Sequence, residues 1–336
     1  MAIQTTRKQL KEAILTVESK HFERTALELF RYQAAHNPLY ANFIDLLGVK
    51  VADVTSLSDL PYLPIQFFKN YTIQTGSWKP VTTFTSSGTT GSQTSRHLLR
   101  ETAWYQAISR RCFESFYGGP SDYCIFALLP AYLERSGSSL IAMAADFIAE
   151  SNYPESGFFL NHNNELIKKI NYCQRQNIPT LLMGVSFALL DFAEMNPMDL
   201  AAVIVMETGG MKGRRKELTR EALHAQLQAA FQQNLIHSEY GMTELTSQAY
   251  SKGKGIFYPG PTMRVLSREI NDPFSIRSSS RTGILNVVDL GNLDTCAFIA
   301  TDDLGKVYSD GSFEVLGRMD YSDLRGCNLL IDGTRI

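Results

Sequence analysis

A chain of 336 residues is long enough to bury a sizeable core, as one large domain of several subdomains or as two modest ones. With 44% hydrophobic and 20% charged residues and a net charge of −2, it has the composition of an ordinary soluble globular protein, without the basic excess that draws proteins to nucleic acid or anionic lipid. Its five cysteines, Cys112, Cys124, Cys173, Cys296 and Cys327, are odd in number, widely spaced and without a C-x-x-C pair, which argues against a disulfide framework or a zinc site.

The N-terminus is charged and helical in pattern, with no signal-peptide core, and no later run is long and uncharged enough to span a bilayer, so the expected setting is reducing and cytoplasmic. From Thr6 to about Leu47 the apolar positions Leu10, Ile14, Val17, Ala26, Leu27 and Phe30 recur at helical spacing, with a break at Pro38. Residues 1–60 are therefore expected to form a helical lead-in. "LPYLPIQFFKN", with two prolines among aromatics, predicts an extended connector. Between residues 61 and 252 the pattern alternates. "CIFALLP", "SGFFL", "PTLLMG" and "AAVIVMETGG" read as strands; "GSSLIAMAADFIAES", "NELIKKINYCQRQN", "SFALLDFAEM" and "KELTREALHAQLQAAF" read as helices. Short spacers between them imply βαβ units, a mostly parallel sheet and an α/β fold. From residue 253 to 336 the rhythm changes to short strands and turns, "IFYPGPTMRVLSRE", "TGILNVVDLG", "CAFIATDDLG" and "SFEVLGR", which predict a β-rich subdomain. No linker divides the chain cleanly, so these regions are expected to form one integrated domain.

The sharpest local signal is "TFTSSGTTGSQTS", Thr83 to Ser95. Gly88 and Gly91 among the hydroxyls of Ser86, Ser87, Thr89, Thr90 and Ser92 make a loop whose N–H and O–H groups can surround a phosphate chain. The same composition also suits a plain solvated loop, and the spacing and lysine of a Walker A motif are absent. Downstream come "METGGMKG" (Met206 to Gly213), "SEYGMTEL" (Ser238 to Leu245), "ATDDLG" (Ala300 to Gly305) and "GRMD" (Gly317 to Asp320). Taken singly, these read as strand ends and turns. All five in order are harder to attribute to coincidence.

In that order and spacing the chain resembles the adenylate-forming superfamily of acyl-CoA synthetases, luciferases and nonribosomal adenylation domains. It is most similar to the acyl-protein synthetases (LuxE type) of the bacterial luminescence fatty-acid reductase complex, through "LPAYLERSGSSL", "TGGMKGRRKE", "EYGMTELTSQAY" and "LRGCNLL". The resemblance runs from "LPYLPIQFFK" to the last residues. It implies the large N-terminal domain of those enzymes, ATP and Mg²⁺ as cofactors, and a carboxylic acid as substrate, expected to be a fatty acid, with an aromatic or shorter acid as the alternative. Residues 86–91 (Ser86, Ser87, Gly88, Thr89, Thr90, Gly91) match the pyrophosphate loop. Gly209 and Gly210 match a turn that lets the backbone approach adenine, and Tyr240, followed by Gly241, would stack on it. Thr243 would bond the α-phosphate, Glu244 would hold Mg²⁺, Asp303 would accept the ribose hydroxyls, and Arg318 would contact ribose or α-phosphate.

Two departures stand out. The loop lacks the family's proline-lysine pair, a charge-assisted contact worth about 1.5 to 3 kcal/mol, for which Mg²⁺, Arg96 or His97 is expected to compensate. The sequence continues 16 residues after Asp320, past the hinge-like "GRMD", so the family's mobile C-terminal domain is expected to be absent and CoA chemistry by domain rotation is expected to be disfavoured. In the resembling family a cysteine in this "RGC" context carries the acyl group, making Cys327 the expected thioester acceptor and a reductase or acyl carrier the expected partner. "CNLLI" reads equally as a buried strand. The rival functions are an acyl- or aryl-CoA ligase and a non-catalytic nucleotide-binding subunit. "LLMGVSFALLDF" and "AAVIVM" offer apolar walls for an acyl chain and are also what a core requires. Among the six histidines, His237, just before "SEYGMTE", stands nearest the motifs.

Overall fold

The computed structural model describes residues 2–86, 94–129, 137–159, 162–209, 218–270, 272, 275–276 and 280–319. The lead-in is three helices: α1 (Ala2–Leu15), α2 (Phe22–His36) and α3 (Pro38–Leu46). Pro38 takes the first position of α3, where its missing N–H costs nothing, and Asn37 Oδ1 caps the helix by accepting from Tyr40 N at 3.1 Å. The connector expected to be extended holds a two-residue strand β1 (Leu63–Pro64) and a single helical turn α4 (Phe67–Asn70). Next come the paired strands β2 (Thr82–Thr85) and β3 (Arg96–Leu99), and then helix α5 (Thr102–Tyr117), which was not among the sequence expectations.

The alternating region follows the expected order: β4 (Cys124–Leu128), α6 (Ser139–Glu150), β5 (Gly157–Phe158), α7 (Asn163–Arg175), β6 (Thr180–Val185), α8 (Ser186–Met195), β7 (Val203–Thr208), α9 (Arg220–Phe231) and β8 (His237–Tyr240). The remaining strands are β9 (Ala249–Ser251), β10 (Ile256–Pro259), β11 (Met263–Arg268), β12 (Gly283–Asp289), β13 (Phe298–Val307) and β14 (Phe313–Arg318). They form one mixed sheet in the order β11-β12-β13-β14-β10-β9-β8-β7-β6-β4-β5, with β1 alongside β13. Pairing is parallel from β5 to β8 and antiparallel from β8 to β11. From β4 to β8 the sheet is parallel where helical crossovers separate the strands, and β1 also pairs parallel with β13.

Every residue of β4 and β6 is buried, as helix-covered parallel strands require. The chain leaves β4 for β5 on one side and returns to β6 on the other. In α/β sheets, ligands commonly bind outside the carboxyl ends of the strands near such a reversal.

The lead-in helices pack on the antiparallel half. Phe30 and Tyr40 meet Phe298 with ring centroids 5.9 and 6.0 Å apart. Gln33 donates to Asn292 O at 2.8 Å and accepts from Ala297 N at 2.9 Å, while Arg7 grips Asp294 through two bonds of 2.6 and 2.5 Å. These contacts clamp the loop between β12 and β13, whose buried backbone groups would otherwise lack partners. Cys112, Cys124, Cys173 and Cys296 are free and buried. No helix among the described residues is long and apolar enough to cross a membrane.

Candidate active site

The parallel strands β7 and β8 deliver two of the expected motifs to the same edge. Gly209, just past β7, has φ +63, a left-handed conformation that costs glycine little, and its carbonyl accepts from Ser186 Oγ at 2.6 Å. Thr208 Oγ1 donates to Glu239 Oε2 across to β8. A Cβ on Gly241 would overlap the Glu239 carboxylate, so a side chain in the turn after Tyr240 would require Glu239 to shift.

Tyr240 and Asp303 meet although 63 positions separate them: Tyr240 Oη donates to Asp303 Oδ2 at 2.8 Å. Arg318 stands opposite Asp303 in the β13–β14 register and donates Nε to Oδ1 at 3.2 Å. Asp303 is only 6% exposed, and both of its oxygens are engaged. The Tyr240 ring sits 5.3 Å from Phe313 and 5.9 Å from Phe257, packed as core. Burial, followed by the Asp303 charge and hydrogen bond, pushes its phenol well above the usual value.

Glu244 is 7% exposed and has no ion pair within 4 Å among the described residues. Burial raises its carboxyl above the usual range, opposed by neighbouring Ser95 and by the charges of Arg318 and Lys69. Ser95 Oγ is itself buried without a hydrogen-bond partner. A buried carboxylate with no ion pair among the described residues, and with a hydroxyl beside it, would suit Mg²⁺, which commonly takes one or two protein carboxylates and fills its other positions with phosphate and water. Among the described residues no three His, Cys, Asp or Glu side chains form an all-protein metal site.

The backbone around Glu244 is held by groups that the motifs do not reveal. Asp289, fully buried, accepts from Thr246 N at 2.7 Å, Ser247 N at 2.9 Å and Gly291 N at 2.9 Å, and from Ser247 Oγ at 2.5 Å. Asn292 Nδ2 donates to Glu244 O at 2.8 Å. His97 Nδ1 lies 2.8 Å from Thr243 O, which can only accept, so Nδ1 carries the proton and Nε2 accepts from Thr295 Oγ1 at 3.1 Å. Burial depresses this imidazole to about 4. His97 is therefore neutral and committed to backbone, which corrects the expectation that it replaces the missing lysine; Arg96 is exposed. Only alternation along "RHLL" hinted that His97 points inward.

Ser86 closes the base of the expected phosphate loop, exchanging Ser86 N to Ser95 O at 3.1 Å and Ser95 N to Ser86 Oγ at 2.9 Å. Ser87, Gly88, Thr89, Thr90, Gly91, Gly210 and Cys327 lie outside the described residues. His237 opens β8 at the end opposite Tyr240 and contacts Tyr117 Oη at 3.0 Å, so it is not brought to the site. The apolar stretches proposed as acyl walls are packed core: Leu182, Met183, Leu189 and Val205 are at most 1% exposed.

No protein-family profile matches the chain, and no curated protein matches it. Solved structures do. ATP-bound MatB from Rhodopseudomonas palustris superposes with a TM-score of 0.53 at 15% identity, over 70% of this chain and 47% of that one. A 2-hydroxyisobutyryl-CoA ligase in complex with 2-HIB-AMP and CoA, in an open conformation, superposes with a TM-score of 0.64 at 12% identity, over 92% and 77%. In its thioesterification state the values are 0.66 and 13%, over 92% and 70%. The fold is that of the large domain of adenylate-forming enzymes. This chain spans about half the length of the MatB structure, 47%. Within the adenylate-forming fold, the expected nucleotide residues Tyr240, Thr243, Glu244, Asp303 and Arg318 converge where the parallel strand ends meet the antiparallel strands.

Proposed function

We propose that the protein activates a carboxylic acid with ATP, forming an acyl-adenylate and pyrophosphate, and passes the acyl group to a thiol. The carrying observation is the junction of Tyr240, Asp303 and Arg318 with the buried Glu244, which has no ion pair among the described residues. Such a junction offers acceptors for ribose hydroxyls, a guanidinium for phosphate and a carboxylate for a cation. Support comes from the structures of the same fold, one with ATP and another with an acyl-AMP and CoA.

In this reading the acid's carboxylate oxygen attacks the α-phosphorus, and the bond to the leaving pyrophosphate breaks. The chain contributes alignment and charge neutralisation. Thr243 and Arg318 bind the α-phosphate; Asp303 exchanges its bond from Tyr240 for the ribose hydroxyls, and the freed ring of Tyr240 faces adenine. Ser86, Ser87, Gly88, Thr89, Thr90 and Gly91 grip the departing phosphates, while Gly209 and Gly210 admit the base. Glu244, with Ser95 beside it, would hold Mg²⁺, which neutralises phosphate charge when bound.

The Cys327 sulfur then attacks the acyl carbonyl, the bond to AMP breaks and AMP leaves while the thiol proton passes to solvent, so that the acyl group is held as a thioester before passing to a reductase or acyl-carrier partner, as the likeness to LuxE-type acyl-protein synthetases implies; the same likeness favours a fatty acid. The neighbour bound to CoA supports CoA as the second candidate acceptor. Acid-dependent ATP–pyrophosphate exchange across a panel of carboxylic acids tests the first half-reaction, and no exchange with any acid would reject it. Cys327→Ser should keep exchange while losing hydroxylamine-labile labelling by radioactive acid and ATP. Wild-type labelling in that variant would exclude Cys327, and AMP release only with CoA present would move the second step to CoA.

A further inference from the structure

A second cleft, of about 770 Å³, lies on the other face of β13 from the nucleotide residues. Alternation along the strand turns Asp303 to one face and Ala300 and Asp302, which line this cleft, to the other. Pairing sets Asn286 opposite both Ala300 and Leu266, and so brings Arg268, two residues beyond Leu266, to the same face. The volume falls within the range of about 300–1,000 Å³ usual for small-molecule sites. Much of the wall is apolar: Phe43, Leu47, Val49, Tyr62, Ile270 and Ile276.

Arg268 also lines the cleft and is 7% exposed. It donates Nε to Asn286 Oδ1 at 3.1 Å and Nη2 to Thr301 O at 3.3 Å, both neutral acceptors. No carboxylate lies within 4 Å of it among the described residues, and Nη1 makes no hydrogen bond there. Asn286 Nδ2 is likewise buried without an acceptor. A desolvated guanidinium surrounded only by neutral partners is costly unless an anion completes it. Two carboxylates bound what that anion can be. Asp302, gripped by Gln66 Nε2 at 2.7 Å from each oxygen, and Asp59, which caps Ser56 N at 2.8 Å, also border the cleft. They oppose a dianion such as phosphate more strongly than a single negative charge held directly against Arg268.

We infer that this cleft binds a monocarboxylate with an apolar body, its carboxylate on Arg268 and its tail against Phe43, Leu47, Val49 and Tyr62. The inference does not rest on the proposed adenylation chemistry, because β13 separates the two sites and no nucleotide is needed. Equilibrium dialysis of the full chain against radiolabelled dodecanoate, without ATP, tests it. Wild type should show a dodecanoate site that Arg268→Met weakens by at least about tenfold, the loss expected for one charge-assisted contact. Arg268→Lys should largely restore it, and dodecanol should bind correspondingly worse than the acid. Leu47→Trp, at a half-buried position, fills the cleft without touching the charge and should also abolish binding, which covers the case in which Arg268→Met fails to fold. Absence of dodecanoate binding to wild type, or wild-type binding by folded Arg268→Met and Leu47→Trp, would overturn the inference. Pyrophosphate exchange with a carboxylic acid should persist in folded Arg268→Met. Loss of exchange together with binding would make the cleft the reacting acid's own site and overturn its separateness, whereas wild type that binds dodecanoate but shows no exchange would sink the adenylation reading alone.

Discussion

The two halves of the sheet use their residues differently. In the parallel half, β4 and β6 are buried throughout and carry no charged side chain; the candidate site residues come from Tyr240 at the end of β8 and from the turns after β7 and β8. In the antiparallel half, Asp289, Asp303 and Arg318 sit on the strands themselves. Helix-covered strands have no wet face on which a charge can remain hydrated, so only their ends can hold polar chemistry. Antiparallel strands alternate faces and can aim a charge at a crevice from within the strand. The parallel half should therefore act as scaffold and the antiparallel half as a source of ligand contacts.

The largest effect belongs to the scaffold. Leu182→Ala in β6 removes a fully buried side chain and should cost about 2–5 kcal/mol in denaturant unfolding while leaving the ATP dependence of the folded fraction unchanged. A shift in apparent KM for ATP alongside the lost stability would erase the division between the halves. Glu244→Gln reverses the pattern. Because burial already disfavours this carboxylate, the amide should leave unfolding unchanged or raise Tm, yet lower pyrophosphate exchange by about a hundredfold or more, the scale on which a key electrostatic group acts. Exchange at the wild-type rate would remove Glu244 from the proposed metal site.

His97 ties the halves together, bonding Thr243 O from the parallel side and Thr295 from the antiparallel side. Its imidazole is depressed from an ordinary 6.5 to about 4, so between those values the unfolded chain binds the extra proton. The stability this neutral ring contributes is complete above about pH 6.5 and is lost as pH falls toward 4. Between pH 7 and pH 5 the loss should be about 2 kcal/mol, and His97→Gln should flatten that slope in unfolding experiments. An unaltered slope would mean that other groups carry it. The smallest effect is expected at Asp303, where Ala should raise the apparent KM for ATP about tenfold through weakened ribose bonds and change kcat less. A fall in kcat with KM intact would instead give Asp303 a role in the chemical step.

Much of this could be read from the one-dimensional pattern. The alternation of "CIFALLP", "PTLLMG" and "AAVIVMETGG" with helical segments set the parallel half in order, and Pro38 marked the start of α3. Both signals are local, because hydrophobic period and proline geometry act over a few residues. Helix α5 escaped notice although it buries Trp104, Tyr105, Ile108, Cys112 and Phe113, since its polar positions break up the apolar stripe. The motifs named Tyr240, Glu244, Asp303 and Arg318, but not that Tyr240 and Arg318 would share one carboxylate across 63 and 15 positions. Nor did they name Asp289, Asn292 and His97, which hold the turn around Glu244, or Arg268, whose guanidinium lines the second cleft with only neutral hydrogen-bond partners among the described residues. Those roles depend on which strands become neighbours and which faces they turn to one another, and strand pairing is decided by burial summed over the whole sheet.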